Sequence, residues 1–243
     1  MLSKIYFLGI TIQTYWLAMF LGFAAMLWLT VHRRKIYGLS NLSAITFTVL
    51  VMVFGLVGCK LLYVVENFSE VLKNGVSAGG FSFFGAVFLI PVMMGLLRKL
   101  FSLNWRQCTD ACAPCVIVMI AVMRFGCLLN GCCGGWMAQL GSVSFRWPTQ
   151  AFEGIGDVAI LMWVLGIEKR ENKPGALYPY FLLSYGVLRF FVEFFRDTAK
   201  DWLYMSHGQG FSIVAILIAV TVLKREKITD GGTESNDKKR LEK

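Results

Sequence analysis

The sequence predicts an all-helical membrane bundle of about seven spans. Of its 243 residues, 56% are apolar and only 16% are charged. Soluble domains carry about a quarter charged residues and slightly fewer than half apolar ones. The apolar residues also fall into runs of about 20, the length a helix needs to cross the hydrocarbon core of a bilayer. These observations exclude disordered, collagenous and coiled-coil chains, and they argue against a soluble enzyme.

Seven apolar runs separated by short polar loops are the candidate spans. Lipid offers the backbone no hydrogen bonds, so each run must be helical, and short loops make neighbouring helices antiparallel. Residues 1–228 are therefore expected to form one membrane domain, and the polar segment 229–243 a disordered cytoplasmic tail. The loops 66–79 and 196–208 are expected to form an outer cap. The runs lie at 11–31, 43–65, 80–97, 112–133, 150–167, 176–195 and 209–223.

Basic residues predict the orientation of the bundle. They cluster after the first, third, fifth and seventh runs and are sparse elsewhere. Since Lys and Arg are retained on the cytoplasmic side, the N-terminus is expected outside and the C-terminus in the cytoplasm. The net charge of +9 is thus explained by topology, and no nucleic-acid partner is expected. The dense set is Arg33, Arg34, Lys35, Arg98, Lys99, Arg106, Lys169, Arg170, Lys173, Lys224, Arg225, Lys227, Lys238, Lys239, Arg240 and Lys243, and the sparse set is Lys4, Lys73, Arg146, Arg196 and Lys200.

Two arginines inside predicted spans are the first candidates for function. Arg124 and Arg189 both lie in the outer half of spans that run outward, so they can face one cavity near the outer leaflet. Ionisable residues within a membrane are costly and mostly functional, and the guanidinium fork suits phosphate. The pair therefore predicts an anionic ligand, most simply a lipid phosphate. The alternative is structural: ion pairs of Arg189 with Glu193 and of Arg124 with Glu153 lock the bundle.

Other polar residues lie at the same outer level. Tyr185 precedes Arg189 by four residues and so shares its helical face, and Arg196 follows at the outer end of the same segment. Lys60, near the outer end of the second run, either extends its ammonium group to the surface or joins the cavity.

The seven cysteines do not form the pattern of a secreted disulfide scaffold. The C-x₃-C-x₂-C pattern at 108–115 has a spacing used for iron–sulfur clusters, but it lies at the inner end of an apolar run, where packing is favoured. Cys127, Cys132 and Cys133 lie near the outer surface, and a disulfide or a metal site there stays open. A tightly packed, Gly-rich helix end is favoured because no His or carboxylate follows at ligand spacing. No metal and no cofactor are expected.

Six stretches, taken together, resemble the prolipoprotein diacylglyceryl transferase family. The specific ones are MRFGCLLNGCCGG at 123–135 and LYPYFLLSYGVLRFFVEFFRD at 177–197, with WPTQAFEG at 147–154 between them. GLVGCKLLYVV at 55–65, GGFSFFGA at 79–86 and GQGFSIVAIL at 208–217 follow the same family order. The resemblance covers nearly the whole chain.

This resemblance implies a multi-pass enzyme of the bacterial cytoplasmic membrane that binds phosphatidylglycerol in a cavity open to the outer leaflet. The diacylglyceryl group passes to the lipobox cysteine of a prolipoprotein, and glycerol phosphate leaves. Arg124 corresponds to the family arginine that contacts the headgroup, and Arg189 to the essential one, so both are assigned to catalysis. The residues assigned to substrate binding are Arg124, Asn130, Tyr15, Tyr185, Glu193, Arg196 and Glu153.

Three positions depart from the family pattern: Ala86 stands where a second Gly is common, Cys132 stands where an acidic residue is usual, and Phe84 is the third. Phe84 stands where the family has a histidine proposed as the base, and a phenyl ring accepts no proton. Three alternatives follow. Glu193, Tyr15 or His207 assists the thiol; or the field of the two arginines alone lowers the pKa of the thiol; or the chain is an altered or inactive paralogue that binds anionic phospholipid. A transporter is disfavoured because the sequence has no internal repeat.

Overall fold

The computed structural model is mostly helical, as the sequence predicts. It describes residues 4–7, 10–75, 80–141, 143–170, 175–198 and 205–241. The helices are α1 (Thr14–Arg33), α2 (Asn41–Glu66), α3 (Phe68–Asn74), α4 (Phe83–Leu96), α5 (Trp105–Asn130), α6 (Thr149–Arg170), α7 (Leu177–Val192) and α8 (His207–Leu241).

Among the described residues, five helices are long and apolar enough to cross a membrane. All seven predicted runs coincide with a helix, but α4 has only 14 residues and α7 only 16, fewer than the roughly 20 that a straight span needs. A multi-pass membrane protein is therefore confirmed, whereas the number of seven spans and the orientation of the termini stay predictions. The five segments are Thr14–Tyr37, Asn41–Glu66, Trp105–Asn130, Thr149–Arg170 and His207–Arg225.

Two short hairpins, which the sequence did not predict, accompany the helices. Strands β1 (Lys4–Phe7) and β2 (Ile10–Gln13) pair antiparallel before α1. Strands β3 (Met137–Leu140) and β4 (Val143–Arg146) pair antiparallel between α5 and α6. Strands this short have weak sequence signals, and the apolar residues of β2 fall at the start of the first apolar run.

The helix α5 forms the centre of the bundle and packs against α1, α4, α6 and α7. It begins with a capping box in which Asn104 and Gln107 exchange side-chain and backbone hydrogen bonds. Small residues let the helices of the bundle approach one another closely, as is common between membrane helices. Gly126 of α5 lies against Ala18 of α1, and Gly58 of α2 lies against the backbone of Gly85 in α4.

Buried polar groups connect helices at the end of the bundle predicted to be cytoplasmic. Asp110 accepts hydrogen bonds from the backbone N–H groups of Gly175 and Tyr178, the latter at 3.1 Å, at the start of α7. Glu168 of α6 pairs with Arg33 of α1 and accepts a hydrogen bond from the Tyr37 hydroxyl at 2.6 Å. These contacts join α5 to α7 and α1 to α6.

Two sequence predictions concern segments outside the apolar runs: the C-terminal tail and the outer cap. The helix α8 continues to Leu241, beyond its apolar part, and the predicted division into a domain at 1–228 and a disordered tail at 229–243 stays a prediction. Within the expected outer cap, α3 is described, but residues 76–79 and 199–204 lie outside the described residues.

The carboxylate of Asp110 is expected to stabilise the fold. Replacing it in Asp110→Ala leaves two backbone N–H groups at the start of α7 without their acceptor, which costs about 1–3 kcal/mol per buried unsatisfied group. Thermal unfolding of the protein in detergent measures the loss. The control is Asp197→Ala, because the Asp197 side chain is 68% exposed. Equal unfolding temperatures for the two variants would contradict the prediction.

Candidate active site

The carboxylate of Glu153 lies at the centre of a buried group of ion pairs. Its Oε2 atom is 3.0 Å from Nε of Arg124, and its Oε1 atom is 2.5 Å from Nη1 of Arg189. Glu153 is only 2% exposed. The two arginines that the sequence placed at one depth therefore share one counterion, which joins α5, α6 and α7.

A second carboxylate and a third guanidinium extend this group. Glu193 Oε2 is 2.8 Å from Nη2 of Arg189, and its Oε1 accepts a hydrogen bond of 2.9 Å from the Thr198 hydroxyl. Arg196 Nη1 is 3.6 Å from Glu153 Oε2, and Arg196 Nε is 3.8 Å from Glu193 Oε2. We call these five charged residues the arginine–carboxylate cluster: Arg124, Arg189, Arg196, Glu153 and Glu193.

Arg196 is the least satisfied cation of the cluster. Its buried Nε and Nη1 atoms have no hydrogen-bond partner within the described ranges. Burial lowers the pKa of Arg196, and the guanidiniums of Arg189 and Arg124 lower it further. Arginine nevertheless stays protonated in proteins. An anion bound beside Arg196 would offset the repulsion and satisfy the unused donors.

Asp157 and Tyr185 form a second layer, one helical turn from the cluster. Asp157 lies four residues after Glu153 in α6, and Tyr185 lies four residues before Arg189 in α7. Both are at most 2% exposed, and neither carboxylate oxygen nor the hydroxyl has a hydrogen-bond partner among the described residues. Buried polar groups without partners are rare and indicate a ligand or water. Sequence reasoning missed Asp157, although its i, i+4 spacing from Glu153 was a usable signal.

Phe84 occupies an aromatic wall beside this second layer. Its ring centroid is 5.6 Å from that of Tyr185, 5.8 Å from that of Phe88 and 5.9 Å from that of Phe211. The side chain is 3% exposed. The position where the family has a histidine is therefore close to the site, but here it contributes only an apolar surface.

An apolar cleft opens next to Arg124. The guanidinium carbon lies 5.1 Å from the centroid of the Phe83 ring. Phe83 also lines the cleft, which lies between α1, α2, α4 and α5. Its walls further include Met26, Val51, Cys59, Ile90 and Met119.

Several residues proposed from the sequence lie outside the cluster. Tyr15 is the second residue of α1 and packs edge-on against Trp16. Asn130 is the last residue of α5 and is partly exposed. No ion pair or hydrogen bond between described residues joins Tyr15 or Asn130 to the cluster. Their assignment to substrate binding stays a prediction.

Lys60 and His207 also border the site without entering the cluster. The Lys60 ammonium lies 5.1 Å from the ring centroids of Tyr63 and Phe81, which suits a cation resting on aromatic faces. His207 is exposed at the first position of α8. The next residue, Gly208, lies so close to Glu193 that an added Cβ would come within 2.9 Å of its Cδ atom.

The loop between α5 and β3 forms one wall of the site. Gly135 forms a bridge with Arg196, and the N–H of Trp136 donates to the carbonyl of Phe195 at 3.1 Å. Arg146 Nε donates to the carbonyl of Gly135 at 2.7 Å. The loop therefore holds the backbone on which Arg196 is placed.

The stability of the bundle is expected to depend on Glu153 and not on Asp157. Glu153→Gln removes the shared counterion of buried guanidiniums, and breaking such a pair costs about 3–5 kcal/mol. Asp157→Asn removes no ion pair from the structure, so it is expected to be neutral or stabilising. Thermal unfolding of both variants in one detergent measures the difference. A larger loss for Asp157→Asn would contradict this description of the cluster.

Comparison with known proteins places this chain in a family. A family model described as prolipoprotein diacylglyceryl transferase matches residues 3–225. The phosphatidylglycerol–prolipoprotein diacylglyceryl transferase of Clostridium tetani is 25% identical, over 90% of this chain and 95% of that protein. The enzyme of the same name from Pasteurella multocida is 29% identical, over 88% and 87% of the two chains. The chain belongs to the prolipoprotein diacylglyceryl transferase family.

Proposed function

We propose that this protein transfers the diacylglyceryl group of phosphatidylglycerol to the cysteine thiol of a prolipoprotein, at the outer face of the bacterial cytoplasmic membrane. Family membership supports the reaction, and it favours a transferase over a paralogue that only binds phospholipid. The observation that supports the location of the site is the arginine–carboxylate cluster, which concentrates three guanidiniums at one buried place.

The phosphate of the lipid is proposed to bind at Arg196, with Arg124 and Arg189 behind it. Arg196 supports this assignment because two of its nitrogens are buried without hydrogen-bond partners in the described part of the chain. Glu153 holds Arg124 and Arg189 in place, so their orientation is set before the lipid arrives. Such preorganisation avoids the cost of reorienting charges during the reaction.

One acyl chain of the lipid is proposed to enter the apolar cleft beside Phe83. Phe83 lies between the Arg124 guanidinium and the cleft, which supports a phosphate at the guanidiniums with part of an acyl chain in the cleft. A cluster of charge next to an apolar channel is the arrangement that an anionic phospholipid requires.

The reaction forms a bond between the thiol sulfur and a glyceryl carbon, and breaks the bond between that carbon and the phosphate oxygen. The electron pair leaves with glycerol phosphate, which gains negative charge. Fixed guanidiniums in a water-poor site stabilise that charge as it develops. The proton of the thiol must leave before or during attack, because the thiolate is the nucleophile, and the departing glycerol phosphate or water accepts it.

The positive field of the arginines is proposed to favour the thiolate in place of a base at position 84. Phe84 accepts no proton, and Tyr15 lies outside the cluster. Glu193 is already paired with Arg189 at 2.8 Å and with the Thr198 hydroxyl. The guanidiniums are thus the groups of the site that can still attract and bind an incoming anion.

Substitutions of the arginines test the site. Arg189→Lys and Arg196→Lys keep the charge but lose the planar fork of donors, and we expect each to lower the transfer rate by about 100-fold or more, the usual effect of removing one preorganised donor. The assay is the diacylglyceryl mass shift of a lipobox substrate, in a host depleted of its own transferase and supplied with phosphatidylglycerol.

Arg33→Lys is the matched control for these substitutions. Arg33 is also a buried, ion-paired arginine, but it is the last residue of α1 and lies outside the cluster. Its replacement should therefore lower stability and leave the transfer rate per folded molecule unchanged. No mass shift from the folded wild-type protein, with phosphatidylglycerol still bound, would instead support a lipid-binding paralogue.

Phe84→His tests whether a base is missing. If the arginine field suffices, restoring a histidine is expected to change the transfer rate less than about 10-fold, well below the 100-fold to 10,000-fold that a positioned acid or base contributes. The same assay measures the rate, with Phe88→His on the same aromatic wall as control. A rise of 100-fold confined to Phe84→His would show that the arginine field is insufficient.

A further inference from the structure

Three cysteines converge at the outer end of α5. The sulfur atoms of Cys127, Cys132 and Cys133 all lie within 4.8 Å of one another, and all three are free thiols. Cys127 is buried, Cys132 is partly exposed and Cys133 is exposed, so the group is open to the outside on one side. A disulfide needs two sulfurs, and here a third is brought to the same place.

The end of α5 folds back to bring these residues together. Gly131 adopts a left-handed conformation with φ of 75°, and the N–H of Cys132 donates to the carbonyl of Cys127 at 3.2 Å. This reversal is the common way to end a helix at a glycine. Cys133 is also left-handed, with φ of 61°, a conformation that is uncommon for a residue with a side chain.

Two side chains from the start of α6 fix the same turn. Gln150 Nε2 donates to the carbonyl of Cys132 at 2.6 Å, and the Thr149 hydroxyl donates to the carbonyl of Cys133 at 3.2 Å. The positions of two of the three cysteines are therefore set by α6 as well as by their own chain. Rigid support of this kind is what a metal site needs in order to hold its ligands in place.

We propose that Cys127, Cys132 and Cys133 bind one thiophilic metal ion, of the Zn²⁺ or Cu⁺ class, through three sulfur ligands. Thiolate ligands select these soft or borderline ions over Mg²⁺ and Ca²⁺. Zinc–sulfur bonds of about 2.3 Å place the sulfurs of a tetrahedral site about 3.8 Å apart, so the side chains need to approach by no more than about 1 Å. A tetrahedral ion held in this way keeps its fourth position for water or another ligand.

The surroundings suit the charge of such a site. Three thiolates with a divalent ion carry one net negative charge, and two arginines lie near it: the backbone of Arg196 bridges to Gly135, two residues after Cys133, and Arg124 precedes Cys127 by three residues in α5. The ion would join the last turn of α5 to the loop that positions Arg196. Its role is therefore structural support for one wall of the candidate active site, and its binding does not depend on the proposed reaction.

Cobalt titration tests the site. The probe is Co²⁺, added to the full-length protein in detergent after reduction with a phosphine, which does not compete for the ion as a thiol would. We expect one Co²⁺ per chain with thiolate-to-cobalt charge-transfer absorption, and displacement of Co²⁺ by Zn²⁺. Cys132→Ser and Cys133→Ser should each weaken binding at least 10-fold, and Zn²⁺ should raise the unfolding temperature of the wild-type protein but not of these two variants.

Cys112→Ser is the control, because Cys112 is buried in the first half of α5 and its thiol donates a hydrogen bond to the carbonyl of Cys108. It should bind Co²⁺ like the wild type. Absence of the charge-transfer band, or equal affinity in Cys112→Ser and Cys133→Ser, would overturn the proposal. So would a disulfide from Cys127 to a neighbour, found by mass spectrometry of the unreduced protein, together with no Co²⁺ bound after reduction.

Discussion

The attraction between one carboxylate and the guanidiniums around it is the interaction on which this site depends. Glu153 is buried and contacts Arg124 at 3.0 Å and Arg189 at 2.5 Å. Several guanidiniums cannot be buried together in a bundle without a counterion, because each must give up its hydration. Since Glu153 comes from α6 and the arginines from α5 and α7, the same ion pairs also hold three helices together at the end predicted to face outside.

Buried charges at the two ends of the bundle differ in how completely they are satisfied. Glu168 pairs with Arg33 and Tyr37 through short contacts from both oxygens. At the other end, Arg196, Asp157 and Tyr185 keep buried polar atoms without hydrogen-bond partners among the described residues. Complete pairing is typical of a structural contact, and incomplete pairing indicates a place prepared for a ligand. The completeness of hydrogen bonding therefore distinguishes the charges around Glu168 from those of the candidate site better than burial does.

Phe84, which stands where the family pattern has a histidine, changes the expected contributions of a general base and of electrostatic stabilisation to the reaction. Phe84 packs among Tyr185, Phe88 and Phe211, so the second layer of the site is more apolar than a histidine would make it. Lower polarity strengthens the field of the fixed guanidiniums, because less screening surrounds them. Under the proposed mechanism, electrostatic stabilisation contributes more to the rate in this chain than a general base does.

The sequence by itself determined the positions of the helices, the common depth of Arg124 and Arg189, and the family, because apolar runs, helical spacing and motifs are all local properties. It could also place Tyr185 and Glu193 on the face of Arg189. Only the tertiary structure decided that Glu153 serves both arginines, that Asp157 lies behind it, and that three cysteines meet. Helical periodicity tells which face a residue occupies but not which helices touch, and the turn after α5 depends on hydrogen bonds from α6.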